Sequence, residues 1–302
     1  MASRRAATYP IVGKTALITG AARGIGAELA RRLHERGANV ALIGLEPDRL
    51  AQNATALGEQ RAFWVEADVT DPAALERAVA ATVERFGGID IAVANAGLAY
   101  VGTLTGMPAE QIERVLAVNL LGVWQTDRAV AEEVGRRGGY ILNIASLAAI
   151  LHAPLMGAYT TAKAGVDALT DALRAELAPG GVAVGAAYFG YLDTDIVRGA
   201  YSHPAAQRAN RRVPAVIRQP ASVSKAITAV LHGIEARTPR IYYPGWVRLA
   251  YLLRGPLQPL SEAVMARDRA SLAEAIAAAE RESATPEDPK LGIAARALRG
   301  NR

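Results

Sequence analysis

The 302-residue chain contains no cysteine. Disulfides, thiolate metal sites and thiol nucleophiles are therefore excluded, no metal site is expected, and a cytoplasmic setting is the simplest expectation. Lysine is also scarce, with only Lys14, Lys163, Lys225 and Lys290 present. The formal charge of +5 rests instead on dispersed arginines. No basic block or recognisable module accompanies them, so no nucleic-acid partner is expected. Charge spread in this way marks a solvated surface and also favours an anionic cofactor. No apolar run reaches the roughly 18 residues that a membrane span needs. Ser3-Arg4-Arg5 is similar to a twin-arginine signal, but residues 15–19 already read as a buried strand and no suitable apolar run follows.

What the chain has is apolar mass, 51% of its residues, enough for a sizeable core. No Pro/Ser-rich linker divides it, so one domain over residues 13–244 is expected, between a short tail (1–12) and a C-terminal extension (245–302). Short aliphatic runs alternate with helical patterns throughout. Strands are expected near 15–19, 40–43, 63–66, 89–93, 140–144, 182–187 and 240–243. Helices are expected near 24–36, 48–57, 72–86, 109–134, 158–178 and 221–235. Continuously apolar strands separated by helices imply an α/β fold, a doubly wound parallel sheet covered on both faces. Residues 195–220 carry Pro204, Pro214 and Pro220 without sustained periodicity and follow a strand's carboxyl end, which suits a substrate lid. In the extension, Trp246, Leu249, Tyr251, Leu252 and Leu253 form an interrupted apolar patch, residues 261–281 read as an alanine-rich helix, and the final twenty residues read as disordered.

Between the first strand and first helix lies Gly20-Ala21-Ala22-Arg23-Gly24-Ile25-Gly26. Gly20 permits a sharp turn, while Gly24 and Gly26 clear side chains from where backbone must approach a pyrophosphate and helix must pack on sheet. The helix N-terminus then offers N–H groups to the anion. At the end of the second strand an acid would grip a ribose 2′-hydroxyl, but the chain reads Gly44-Leu45-Glu46. Arg23 is then available for a 2′-phosphate, with Glu46 near enough to interfere. NADP(H) is favoured, and NAD(H) stays open.

These residues, with Asp68-Val69, Asn95-Ala96-Gly97, Asn119, Ser146, the Tyr159-x-x-x-Lys163 pair, Gly190 and Thr194, follow one another in an order that resembles the classical short-chain dehydrogenase/reductase family over about residues 13–243. The resemblance implies a Rossmann-type sheet. It also implies that Asp68 and Val69 contact adenine, that Asn95, Ala96 and Gly97 line the cofactor cleft, that Asp90 helps hold the sheet near it, and that Gly190, Leu192 and Thr194 hold the nicotinamide carboxamide. Lys163 would bind the nicotinamide ribose, and Asn119 would hold a water linking Lys163 to solvent. The chain departs from the family pattern at Ala94, where a second asparagine is common, and at Phe189, where proline usually precedes Gly190.

Tyr159 and Lys163 are four residues apart on an expected helix and so share a face. A tyrosine with a pKa of about 10 is a poor base at neutral pH, and a neighbouring ammonium is expected to lower that value. Tyr159 would then act as general acid/base, with Ser146 stabilising the substrate oxygen. Ser146 lacks the G-x-S-x-G setting of a hydrolase nucleophile. Leu147, His152, Met156 and Tyr191 are candidate substrate contacts, with His152 better read as a loop histidine, and Tyr188 and Phe189 either line the pocket or pack. Together with Tyr100 and Leu155 these residues suggest a hydrophobic ketone, aldehyde or alcohol as substrate. The alternatives are a cofactor-binding regulator, and a lyase or epimerase that uses the cofactor transiently. The broad apolar faces of residues 109–134 and 158–178 suggest a homodimer or homotetramer.

Overall fold

The computed structural model describes residues 8–209, 218–267 and 269–283. Seven parallel strands form one sheet: β1 (Thr15–Thr19), β2 (Asn39–Gly44), β3 (Ala62–Glu66), β4 (Ile91–Ala94), β5 (Tyr140–Ile144), β6 (Ala183–Phe189) and β7 (Arg240–Tyr243). Their order across the sheet is β3-β2-β1-β4-β5-β6-β7. The chain runs outward from β1 in one direction, then returns and runs outward through β4 in the other. The crevice between the carboxyl ends of β1 and β4 is therefore the switch point, where such sheets bind ligands. β1, β4 and β5 are buried along their full length, as central strands covered on both faces must be. β3 alternates buried and exposed positions because it is an edge strand.

Helices α1 (Gly24–Glu35), α2 (Pro47–Leu57), α3 (Pro72–Phe86), α4 (Ala109–Leu116), α5 (Gly122–Arg136) and α6 (Gly157–Leu177) connect the strands in turn. Asp71 caps α3: its carboxylate accepts from the N–H groups of Ala73 at 2.9 Å and Ala74 at 3.2 Å, with Pro72 in the first turn. The single helix expected over 109–134 is interrupted by a π-turn at Ala117–Leu121. The apolar period runs through this turn, so the sequence gives no sign of it. Two short helices, α7 (Asp195–Ser202) and α8 (Pro204–Ala209), occupy the start of the expected lid. Residues 210–217 of that lid fall outside the described residues.

After α9 (Val223–Glu235) and β7, the extension forms α10 (Trp246–Leu252), α11 (Arg254–Ala266) and α12 (Arg269–Ser283). The helix expected over 261–281 is thus two helices. The expected disorder over the last twenty residues, and Ser3-Arg4-Arg5, lie outside the described residues, as do residues 284–302 and 1–7 generally. Among the described residues no helix is long and apolar enough to cross a membrane, and no cluster of three His, Cys, Asp or Glu side chains could hold a metal ion.

Asp90 braces the sheet, but not where the resemblance implies. It accepts from Lys14 Nζ at 2.8 Å and Thr15 N at 3.0 Å, just before β4 begins. That is the amino end of the strands, opposite the crevice. A second buried acid, Asp127 on α5, accepts from Asn143 Nδ2 at 2.8 Å. Burial pushes its carboxyl up to about 7, against the lowering effect of that bond. Its Oδ1 and Asn143 Oδ1 find no hydrogen-bond partner among the described residues. Because the folded-state value is raised, the fold loses stability as pH rises from the unfolded carboxylate range to about 7. Asp127→Asn should remove that loss. Relative to the native chain, it should gain about 3 kcal/mol between pH 4 and pH 8 in urea unfolding. An unchanged difference across that range would show that Asp127 does not titrate high.

Candidate active site

The parallel order brings every strand's carboxyl end to one edge, and the candidate residues follow those ends directly. Gly20 comes just after β1, Leu45 after β2, Asn95 after β4, Ser146 two residues after β5 and Gly190 after β6. Asp68 stands two residues beyond β3.

The glycine turn is shaped by close approach. Gly20 has φ +64, and a Cβ there would lie 2.8 Å from Ala96 Cα. A Cβ on Gly26 would lie 2.4 Å from the Gly20 carbonyl oxygen. Gly24 also has positive φ, but a Cβ there would meet nothing. Steric packing thus demands the first and third glycines, while the second faces open space. α1 starts at Gly24 with no side-chain cap and no acid in its first turn. An uncapped N-terminus opening on a cleared surface fits a phosphate.

Asn95 has a structural role at this turn. Its Nδ2 donates to Thr19 O at 2.9 Å and Gly20 O at 3.2 Å, while Thr19 Oγ1 accepts from the N–H groups of Asn95 and Ala96. Asn53 on α2, which sequence reasoning missed, ties the same turn through Ala21 O at 3.2 Å and Ala22 O at 3.1 Å. No local pattern marks Asn53, because its partner lies about thirty residues upstream.

At the β2 edge, Arg23 Nε donates to Glu46 Oε1 at 2.9 Å, and its Nη2 lies 2.5 Å from Glu46 Oε2. Arg49 stands 3.4 Å from the same carboxylate, and Asp195 at the start of α7 is 3.7 Å from Arg23 Nη1. Arg23 is therefore flanked by two acids, while its Nη1 finds no hydrogen-bond partner among the described residues. Gly44 is buried, and a Cβ there would make only ordinary contacts, so sterics do not require glycine. Leu45 is half exposed at the cleft edge, and Ile25 is partly buried. Burial alone would raise the Asp68 carboxyl, but hydrogen bonds from Thr70 and Arg114 hold it below the usual value. Val69 turns its side chain onto Gly122.

On the other side of the crevice, Ser146 caps a short 3₁₀ turn, its Oγ accepting from Ala148 N at 3.1 Å. Tyr159 and Lys163 lie on α6, with Lys163 Nζ 5.8 Å from the Tyr159 ring centre. Lys163 is 4% exposed and donates to Ile144 O at 2.7 Å, at the carboxyl end of β5. Burial pushes its pKa down to about 8, so the ammonium persists at neutral pH. Tyr159 keeps part of its surface open to the cleft. Desolvation nevertheless raises its phenol, and a hydrogen bond from Ser146 lowers it. The expected depression by Lys163 is not found: desolvation of the ring penalises the phenolate more than the Ser146 hydrogen bond favours it. Asn119 sits in the π-turn, fully buried. Its Oδ1 accepts from Leu98 N at 2.8 Å and its Nδ2 donates to Leu98 O at 2.7 Å. Its side chain thus fastens the segment after Gly97.

The remaining candidates divide. Leu147 is buried in an apolar cluster, and Met156 is partly buried beside Leu155. His152 is exposed, and its N–H donates to Gln258 Oε1 at 2.9 Å, which supports the reading as a loop histidine. Tyr188 and Phe189 are core residues. Tyr188 stacks on Tyr242 at 5.3 Å and bonds Asp167, and Phe189 packs in the main cluster. Tyr191 is half-buried, and its carbonyl accepts from Ala221 N at 2.7 Å. Gly190 N donates to Tyr243 O at 2.9 Å, Leu192 is buried, and Thr194 Oγ1 accepts from Val197 N at the start of α7.

The family model for short chain dehydrogenases matches residues 14–205. The chain belongs to the short chain dehydrogenase family. It is 37% identical over 189 residues to a D-beta-hydroxybutyrate dehydrogenase of Rhizobium meliloti, covering 61% of this chain and 73% of that one. It is 38% identical over 183 residues to a sorbitol dehydrogenase of Cereibacter sphaeroides, covering 60% and 71%. Among solved structures, an alcohol dehydrogenase from Thermococcus sibiricus complexed with 5-hydroxy-NADP superposes with a TM-score of 0.63 at 30% identity, over 72% of this chain and 88% of that one. An enzyme of the same fold from Burkholderia phymatum, in complex with NAD, gives a TM-score of 0.73 at 24% identity, over 83% and 96%. This chain is accordingly an oxidoreductase of the alcohol–carbonyl type with a nicotinamide cofactor.

Proposed function

We propose that this dehydrogenase interconverts an apolar ketone or aldehyde and its alcohol, with Tyr159 as general acid/base. The observation that carries this reading is the convergence of Ser146, Tyr159 and Lys163 across the crevice from an uncapped, glycine-cleared helix N-terminus. The residues fit a dinucleotide. The first turn of α1 and the open space at Gly24 suit the pyrophosphate, and Lys163, which donates only once among the described residues, has further N–H groups for ribose hydroxyls.

When bound, the nicotinamide supplies or accepts the hydride at the carbon of the substrate carbonyl. The chain's own part is proton transfer. The Ala148 N–H donates to Ser146 Oγ and so aims the Ser146 hydroxyl proton at the phenol or the substrate oxygen. In reduction, Tyr159 Oη gives its proton to that oxygen as the C=O bond becomes C–O. The resting phenol is protonated, which is the form this direction requires. The phenolate left behind faces the Lys163 ammonium and the Ser146 hydroxyl, both of which favour it. Oxidation reverses these steps. Apolar side chains between Ser146 and Tyr159, namely Leu147, Ile150, Leu151, Leu155 and Met156, support an apolar substrate. Leu121 and Trp124, exposed on the α4–α5 side, support a homodimer or homotetramer, and the absence of cysteine supports a cytoplasmic setting.

The Arg23–Glu46 pair bears on cofactor choice. Arg23 Nη1 has no hydrogen-bond partner among the described residues, so a 2′-phosphate has that nitrogen to bond, but it approaches against the Glu46 and Asp195 carboxylates. Glu46 therefore opposes NADP(H) recognition. Glu46→Gln removes one of these charges, and the NADPH Kd, read by nicotinamide fluorescence, should fall about tenfold relative to that for NADH. An unchanged ratio would remove Arg23 from 2′-phosphate recognition. Tyr159→Phe should lower ketone-dependent turnover about 10³-fold while leaving cofactor Kd within about twofold. Near-native turnover in this variant would eliminate Tyr159 as the proton donor.

A further inference from the structure

The family model stops at residue 205, yet α12, more than sixty residues later, packs back onto the crevice edge. Ala275 and Ala279 are fully buried and Ala278 nearly so. Together with Ile276 they form one apolar cluster with Val101, Leu155, Met156, Ala205 and Ala206. Those partners come from three separate segments, the ones that follow β4, β5 and β6 at their carboxyl ends. The first two are already joined, since Gly102 N donates to Leu155 O at 2.9 Å and Gly102 pairs with Met156. α12 adds a third connection at its far end, where a Cβ on Gly106 would lie 3.4 Å from Glu280 Cγ.

Two features set this contact apart from ordinary tail packing. Alanine meets alanine between α8 and α12, so the helices approach closely and any added carbon must push them apart. The segment that α12 grips is also strained. Leu155 has φ +65, a left-handed conformation that non-glycine residues hold only when their surroundings enforce it. Leu155 is four residues before Tyr159. The cluster that contains α12 therefore fixes the backbone leading into the general acid.

We infer that α12 is a specificity-determining wall of the substrate site: it closes the crevice on the side away from the glycine turn and sets the size of apolar carbonyl substrate admitted. The inference rests on the proposed carbonyl–alcohol reading, because it assigns α12 to the site at which that substrate binds. The α12 side chains that form the cluster are alanines and one isoleucine, so what they contribute there is shape. Substrate selection by size should therefore respond to α12, while cofactor binding, which lies toward β1 and β2, should not.

The test is Ala275→Leu in the full-length chain, with Ala273→Leu on the exposed face of α12 as control. The ratio of kcat/KM for a bulky aryl ketone to that for a small aliphatic ketone should change at least tenfold in Ala275→Leu and less than twofold in the control. NAD(P)H Kd should stay within twofold in both. Hydrogen exchange in the native chain provides a measurement that no misfolded variant can confuse. Cofactor plus product alcohol should slow exchange over residues 269–283 at least fivefold compared with cofactor alone. A folded Ala275→Leu enzyme with an unchanged ratio, or exchange over 269–283 that ignores the alcohol, overturns the inference and leaves the proposed function standing. Failure of the native chain to turn over any ketone or alcohol overturns both.

Discussion

The site depends on burying one ammonium. Lys163 is almost wholly enclosed and gives one hydrogen bond to the terminal carbonyl of β5. Taking a charge out of water costs several kcal/mol even after relaxation, and a single neutral acceptor offsets only part of that. The depressed value of about 8 records the remainder. The arrangement persists because the surrounding sheet is rigid. β5 lies between β4 and β6, all parallel and in register, and its last residue presents Ile144 O to α6. A ligand bearing hydroxyls beside Lys163 would supply the acceptors that the protein withholds. In the proposed function, this electrostatic deficit is what draws the ribose hydroxyls to Lys163.

Tyr159 shows the complementary side of the same constraint. Its phenol is raised by desolvation, so the ligand-free chain rests with the proton on. In the proposed reaction such an acid would release its proton only as the substrate oxygen becomes basic, and the adjacent ammonium and Ser146 hydroxyl would favour the phenolate. Both groups are set by main chain: Ser146 by the Ala148 N–H, Lys163 by Ile144 O. The glycine turn opposite is held the other way round, by the side chains of Thr19, Asn95 and Asn53 bonding to main chain.

The sheet was legible because its strands are short apolar runs with helices between them, and the glycine turn because its context is a strand before and a helix after. Ser146, Tyr159 and Lys163 were legible from order and helical spacing. What escaped depends on partners distant in sequence. The π-turn at Ala117–Leu121 preserves the apolar pattern, so nothing local marks it. Glu46, twenty-three residues on, reads as near enough to interfere with Arg23, but that the two are directly paired shows only in the folded chain. Tyr188 and Phe189 read as pocket or core alike, and only the sheet shows them turned into aromatic and apolar packing. The alanine-rich pattern of residues 261–281 announces a helix, but small side chains carry no address, and its place against α8 and Leu155 came only from the folded chain.

The central claim is that this chain moves a hydride between a nicotinamide and a carbonyl carbon. The direct measurement uses NADPH and NADH carrying deuterium at the transferable position of the nicotinamide ring, incubated with the protein and an apolar ketone, with the product alcohol analysed by mass spectrometry. The account predicts one deuterium on the carbinol carbon for each cofactor oxidised. Turnover without deuterium in the product would contradict it and point to a lyase or epimerase that returns the hydride to its source.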